Sequence, residues 1–248
     1  MREGRVIGIL QARMSSFRLP GKVLKPILGQ PMLARQLERL QWCQTLDGLV
    51  VATSNQSDDD SIAKLCAMVG VDCFRGSLNN LIDRFYHCAL EQGAEFIVRL
   101  TGDCPLSDAA MIDELVHFFL RLDVDYASNC RPPTLPDGLD AEVFTMEALA
   151  TAWRESLSPF EREHVTPFII NRPERFTIAN WEWFSDFSWL RWTVDEPEDF
   201  TFISKVYEAL YPSKPDFGFD DVLALLKKQP CLVEINRKFQ RNEGSKIN

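Results

Sequence analysis

With 248 residues, 46% of them hydrophobic and 25% charged, the chain has the ordinary composition of a single α/β domain with a sizeable core and room for a smaller lobe. A formal net charge of −9 argues against a general nucleic-acid surface, and with no leader-like start and no apolar run of membrane-spanning length, no membrane role and a cytoplasmic location are expected. The seven cysteines, at 43, 66, 73, 88, 104, 130 and 231, are odd in number and lack C-x-x-C spacing, which disfavours a disulfide framework or a zinc site.

Residues 6–10 form an apolar run that reads as a buried parallel strand, followed at once by a loop carrying Arg13, Arg18 and Lys22 around the Pro20-Gly21 turn. In open α/β sheets, the crevice beyond the carboxyl ends of the strands is where ligands bind. A cationic loop there, with a glycine allowing close backbone approach, suits a polyphosphate. The loop matches neither G-x-x-x-x-G-K-[ST], since Val23 follows Lys22, nor G-x-G-x-x-G. Pro31 then opens a helix with Met32, Leu33, Leu37 and Leu40 at helical spacing. Residues 49–52 read as the second strand, and Ser57 as the N-cap of a helix whose first turn holds Asp58, Asp59 and Asp60. At a helix start these aspartates suit dipole compensation better than a metal cluster.

The order repeats with a strand at 71–74, the loop Arg75-Gly76-Ser77, a helix at 81–90 and a strand at 96–100. Such alternation predicts a mostly parallel sheet with helices on both faces. Thr101-Gly102-Asp103-Cys104-Pro105-Leu106 follows the fourth strand, where Asp103 is placed to ligate a hard cation or to cap the next helix; Ser107 or Asp108 fits the cap better. Cys104 has no identifiable histidine partner for thiol chemistry. The Pro-rich stretch 131–138 breaks the alternation, and residues 138–144 alternate as a half-buried strand presenting Asp140 and Glu142, either to a hydroxyl-rich acceptor or as the wet face of an edge strand. His87 and His117 fall in amphipathic helices; His164 stands in Glu161-Arg162-Glu163-His164-Val165-Thr166-Pro167, where it could bind an acceptor or the backbone. Four of the six tryptophans lie in 181–192, which suits a core hairpin or, preferably, a homodimer contact. A strand ending at Asp195 and a helix opened by Pro197 come next, then packing helices and a polar, frayed tail over 237–248.

Taken together, Ala12-Arg13-x-x-Ser16-x-Arg18-Leu19-Pro20-Gly21-Lys22 with Ile27, Gly29, Pro31 and Met32, the Gly102-Asp103-x-Pro105-Leu106 string and Val194-Asp195-x-Pro197-Glu198-Asp199 resemble the sugar-activating cytidylyltransferases, the family that includes CMP-KDO synthetase. The Glu-x-Glu-His-Val-Thr-Pro block resembles the spore-coat polysaccharide biosynthesis branch, while Thr101 stands where KDO synthetases commonly carry Gln. The resemblance implies a nucleotide-diphospho-sugar transferase fold (GT-A/Rossmann-like) in one domain over 1–248, with an acceptor and dimerisation lobe within about 131–190. It implies transfer of CMP from CTP to a sugar-type acceptor with release of pyrophosphate. Arg13, Lys22 and Asp103 would be catalytic; Ala12, Arg13, Ser16, Arg18, Lys22, Arg75 and Asn79 would bind the nucleotide; and Asp103 with Asp195 would hold Mg²⁺. Asp140, Glu142 and His164 are the acceptor candidates. A glycosyltransferase is the rival on the same fold, but its Asp-x-Asp form, Asp123-Val124-Asp125, precedes a strand instead of ending one. Retention of both acidic strings and the lysine loop argues against a non-catalytic binding protein.

Overall fold

The computed structural model describes residues 3–241. In chain order the elements are β1 (Val6–Gln11), a small hairpin of β2 (Pro26–Ile27) and β3 (Gln30–Pro31), α1 (Met32–Leu40), β4 (Gly48–Ser54), α2 (Asp60–Val69), β5 (Asp72–Gly76), α3 (Leu81–Glu91), β6 (Phe96–Thr101) and α4 (Ala109–Leu122). They continue with β7 (Tyr126–Ser128), β8 (Glu142–Thr145), α5 (Met146–Glu155), α6 (Pro159–His164), α7 (Pro167–Ile170), β9 (Ile178–Asn180), α8 (Pro197–Leu210) and α9 (Phe219–Lys228). The main sheet has the order β5-β4-β1-β6-β8-β7-β9, and in it only β8 runs against the other strands. The expected parallel αβ alternation is therefore present from β1 to β6, and the chain reverses after the Pro-rich stretch.

Both faces of the sheet are buried because the strand period of two sends alternate side chains to opposite sides. Leu10, Val51, Val98, Leu100, Ala127 and Val143 join one core with residues of α1, α2, α4, α8 and α9. Ile7, Ile9, Val50, Ala52, Ile97, Tyr126 and Phe144 join the other with α3, α5 and α7. Helix α4 is capped by Asp108, whose carboxylate accepts from Met111 N at 3.2 Å and from Phe219 N at 2.7 Å, which leaves Asp103 free of a capping duty. His87 and His117 lie on α3 and α4.

Several expectations are corrected. Residues 138–144 do not make an edge strand: β8 is central, and Glu142 is 6% exposed, accepting from Tyr126 Oη at 2.6 Å and Thr166 Oγ1 at 2.8 Å and pairing with Arg99. Burial alone would raise its pKa, but the Arg99 charge and these hydrogen bonds hold it below the usual range. Ser57 makes no side-chain cap; it begins a single 3-10 turn before α2. No strand ends at Asp195: within residues 190–195 a single bridge joins Arg191 to Asp137, and Asp195 lies in a bend. The tryptophan-rich segment is not a hairpin. Trp192 is buried, and Trp183 packs edge-on to Phe219 at 5.8 Å, so the exposed aromatics there are Phe184 and Trp189. Residues 237–241 are not frayed: Arg241 bonds to Leu135 O at 3.1 Å and pairs with Asp140. The rest of the predicted tail, 242–248, lies outside the described residues.

The Arg99–Glu142 pair ties β6 to β8 inside the protein, and breaking such a pair from one side strands a buried charge. Glu142→Ala should destabilise the fold by about 3–5 kcal/mol, read by urea unfolding. Asp140→Ala, whose side chain is 34% exposed, should cost under ~1 kcal/mol, and equal losses would contradict this assignment.

Candidate functional site

Beyond β1 the cationic loop folds onto one residue. Met14 O accepts from Ser16 N at 2.9 Å and from Gly21 N at 3.0 Å, while Met14 N donates to Asp59 at 2.7 Å. Asp59 is buried and also takes Ser54 N at 3.2 Å and the Ser54 hydroxyl. Of the three aspartates read as dipole compensators, this one anchors the loop to β4. Gly21, with φ 69°, makes the left-handed turn that delivers Lys22 into a 3-10 turn.

The acidic side is built by the end of β6 and the segment before α8. Gly102 N donates to Gln11 O at 2.8 Å, and a β-carbon at Gly102 would come within 3.0 Å of both Gln11 O and the Ala12 β-carbon. That close approach sets the loop after β6 directly beside the loop after β1. Asp103 accepts from Thr101 Oγ1 at 2.6 Å, and its own carbonyl accepts from Val194 N at 2.8 Å, which draws Asp195 alongside. Arg191 then steadies Asp195 through the α8 start. It donates to both carboxylate oxygens of Asp199 at 2.9 Å, and Asp199 accepts from Asp195 N at 3.0 Å and Glu196 N at 2.9 Å.

Lys22 Nζ lies between the two acids, 3.1 Å from Asp103 and 2.9 Å from Asp195, and donates to Val194 O at 2.7 Å. Its side chain is only 9% exposed. Burial works against the ammonium, but the two carboxylates outweigh it and the pKa is raised. Burial likewise opposes the Asp103 carboxylate, yet Lys22 and the Thr101 hydroxyl pull it down to about 2. Arg18 pairs with Asp195 at 2.8 Å. Cys104 has its thiol pushed well up by burial and by Asp103, which removes it as a nucleophile at neutral pH.

These groups line one open cleft of about 1650 Å³, counted out to solvent. Of the residues singled out from the sequence it holds Ala12, Arg13, Ser16, Arg18, Lys22, Asp103, His164 and Asp195. Arg75, Asn79, Asp140 and Glu142 are not on its walls. Arg75 turns back to Ser54 O at 3.0 Å, Gln56 O at 2.8 Å and Asp60 at 2.6 Å, and Asn79 is an exposed loop residue. Asp140 is held by Arg241, and Glu142 is sealed in the core. The pKa of His164 is lowered, by burial first and by the Arg99 and Arg13 charges, against the opposing charge of Glu163, so its imidazole is neutral at pH 7. Residues given no site role in the sequence reading also line the cleft: Phe17, Leu78, Leu81, Arg84 and Glu163. Arg84 occupies a buried position of α3, where helical periodicity marks it as ordinary packing.

A model of the family described as cytidylyltransferase matches residues 7–239. An uncharacterised protein of Methanocaldococcus jannaschii is 36% identical over 247 residues, covering 98% of this chain and 99% of that protein. The spore coat polysaccharide biosynthesis protein SpsF of Bacillus subtilis is 32% identical over 234 residues, covering 91% and 95%. Among solved structures, a cytidylyltransferase from Leptospira borgpetersenii superposes with a TM-score of 0.89 at 33% identity, covering 93% of this chain and 97% of that one. A CMP:2-keto-3-deoxy-manno-octonic acid synthetase complexed with CTP shares the fold, with a TM-score of 0.64 at 15% identity over 82% of this chain and 98% of that one.

The Lys22–Asp103 pair links stability to pH from both sides. The Asp103 contribution is complete above the ordinary carboxylate value of 3.8 and is lost as pH falls through about 2, whereas that of Lys22 is complete below 10.5 and is lost as pH rises through its raised value. Between pH 5 and 2 the wild type should lose on the order of 2 kcal/mol that Asp103→Asn does not. Parallel stability curves for the two proteins over that range would contradict the pairing.

Proposed function

The chain belongs to the cytidylyltransferase family, and from that premise we propose that it transfers CMP from CTP to a hydroxyl of a sugar acid or related polyol, releasing pyrophosphate, in the making of a surface polysaccharide. The observation that carries this reading is the Lys22–Asp103–Asp195 cluster, set beside Arg13 and Arg18 in one open cleft. In the reaction an acceptor hydroxyl gives up its proton to a base or to solvent as its oxygen forms a bond to the α-phosphorus, the bond from that phosphorus to the bridging oxygen breaks, and pyrophosphate leaves with the electron pair. Little covalent chemistry falls to the protein, so positioning and charge stabilisation carry catalysis. Arg13, Arg18 and Lys22 hold the triphosphate and offset charge growing on the leaving group, with Ala12 and Ser16 presenting the loop backbone. His164, neutral and on the cleft wall, accepts a hydrogen bond from the acceptor hydroxyl.

Two carboxylates with hard oxygen donors and a buried cation already between them fit a divalent ion, which typically binds through one or two carboxylates plus substrate phosphates. Asp103 and Asp195 would hold it, with Mg²⁺ as the proposed ion. When bound, it neutralises phosphate charge and acidifies the attacking hydroxyl. Lys22 therefore competes with the cation for the same two acids in the empty enzyme and serves the phosphates in the loaded one. Acceptor and dimer contacts are assigned to about 131–190, where Glu163 and His164 face the cleft and Phe184 (85% exposed) and Trp189 (66% exposed) stand out of the surface. Among the described residues no helix is long and apolar enough to cross a membrane. A cytoplasmic site of action is part of the same proposal, as the compartment that supplies CTP.

Incubation with each of the four nucleoside triphosphates, Mg²⁺ and a panel of sugar acids should release pyrophosphate fastest with CTP; a clear preference for ATP or GTP would reject the nucleotide assignment. Light scattering at micromolar concentration should give twice the monomer mass, and a monomer would reject the dimer.

A further inference from the structure

Four arginines among the described residues are buried: Arg35, Arg39, Arg84 and Arg191. Three of them are satisfied in the usual way. Arg35 donates to Ile27 O at 3.3 Å and Leu28 O at 3.2 Å, Arg39 to Ser107 O and Phe217 O at 2.8 Å each, and Arg191 to Asp199. Arg84 differs. It is 3% exposed, its Nε and Nη1 are enclosed without a hydrogen-bond partner, and the residue lines the cleft.

The guanidinium is held in place by packing. A β-carbon at Gly76 would come within 3.0 Å of the Arg84 Cγ, so the stem lies directly on the end of β5. The nearby carboxylate, Asp59, is already engaged by Met14 N, Ser54 N and the Ser54 hydroxyl and makes no hydrogen bond to Arg84. The Asp59 charge offsets that of Arg84 only through space, and the neighbouring Arg13, exposed on the same cleft, adds a second positive charge with no ion pair among the described residues. Burial first and Arg13 second push the Arg84 pKa down to about 10, which still leaves it charged at neutral pH. The cleft is thus uneven. Lys22 and Arg18 form ion pairs with Asp103, Asp195 and Glu196, whereas Arg13 and Arg84 form none among the described residues.

A desolvated, unpartnered cation is unfavourable in the empty protein and becomes favourable only when an anion reaches it. We infer that Arg84 is a specificity-determining residue that joins Arg13 in a two-guanidinium receptor for an oxyanion carried in by the ligand, either a phosphate of the nucleotide or the carboxylate of the acceptor. The inference rests on the cytidylyltransferase reading above and adds to it the group that recognises the ligand's charge. Because the desolvation is built in before binding, the receptor is preorganised.

The test compares wild type, Arg84→Met and Arg84→Lys by calorimetry with cytidine, CTP, inorganic pyrophosphate and the sugar acid 3-deoxy-manno-octulosonate, alongside thermal melts of the empty proteins. Arg84→Met should melt at or above the wild type, because an unpaired buried charge is removed, and should bind the oxyanion ligand about 10- to 100-fold more weakly with cytidine unchanged. Arg84→Lys should fall between them. Losses confined to CTP and pyrophosphate identify the phosphate as the partner, and losses confined to the sugar acid identify the carboxylate. A cytidine affinity that falls as far as that of CTP would overturn the inference, since Arg84 would then read the nucleoside. So would unchanged affinities with a lower melting temperature, which mark a structural arginine. A wild type that binds no CTP defeats the underlying reading itself, whereas CTP and sugar acid bound equally by wild type and Arg84→Met defeat only this inference.

Discussion

The Lys22 ammonium held between Asp103 and Asp195 is the interaction on which the site depends. It joins three stretches distant in sequence: the loop after β1, the loop after β6 and the segment before α8. Compared with apolar side chains of the same volume, a buried ion cluster of this kind adds little net stability, because desolvating the charges offsets most of their attraction. Its value is geometric. With Gly102 packed against Gln11 and Ala12, and with Asp199 receiving Arg191, Asp195 N and Glu196 N, each charged group is fixed from behind before any substrate arrives. Preorganised charge of this kind is what a phosphoryl-type displacement requires of its enzyme.

Charge balance within the cleft then follows a plan that the overall composition hides. The protein is acidic, at −9, yet it gathers Arg13, Arg18, Lys22 and Arg84 along one cleft. Acids answer two of these cations directly, while the Arg13 and Arg84 end awaits an anionic ligand. A polyanion entering such a cleft exchanges water for fixed dipoles and charges at little reorganisation cost, and the acidic exterior deters larger polyanions such as nucleic acid.

Much of this was legible in the sequence because it is local. Apolar runs ending in polar, glycine-containing loops mark β1 and β6, and the cleft lies beyond the carboxyl ends of these strands. Lys22, Asp103 and Asp195 could be singled out from short strings around a Gly or Pro. What stayed hidden depends on tertiary partners. Glu142 alternates like a solvent-facing residue, but β8 inserts between β6 and β7 and Arg99 neutralises it inside the core. Arg75 looks like a ligand-facing loop cation, yet the Ser54 and Gln56 carbonyls and Asp60 claim it. Asp59 reads as one of three equivalent acids until its bond to Met14 singles it out. Arg84 carries no local signal, since only the absence of a partner distinguishes it from the other buried arginines.

In the proposed function Lys22 and a divalent cation share the same two carboxylates. Mn²⁺ titrations of wild type and Lys22→Met, followed by electron paramagnetic resonance without nucleotide and then with CTP, test it most directly. Removing the competing ammonium should tighten Mn²⁺ binding to the empty protein by about tenfold or more, since each charge-assisted contact it makes is worth about 1.5–3 kcal/mol, and CTP should narrow the gap by drawing the wild-type lysine to phosphate. Equal or weaker Mn²⁺ binding by Lys22→Met in the absence of nucleotide would contradict it.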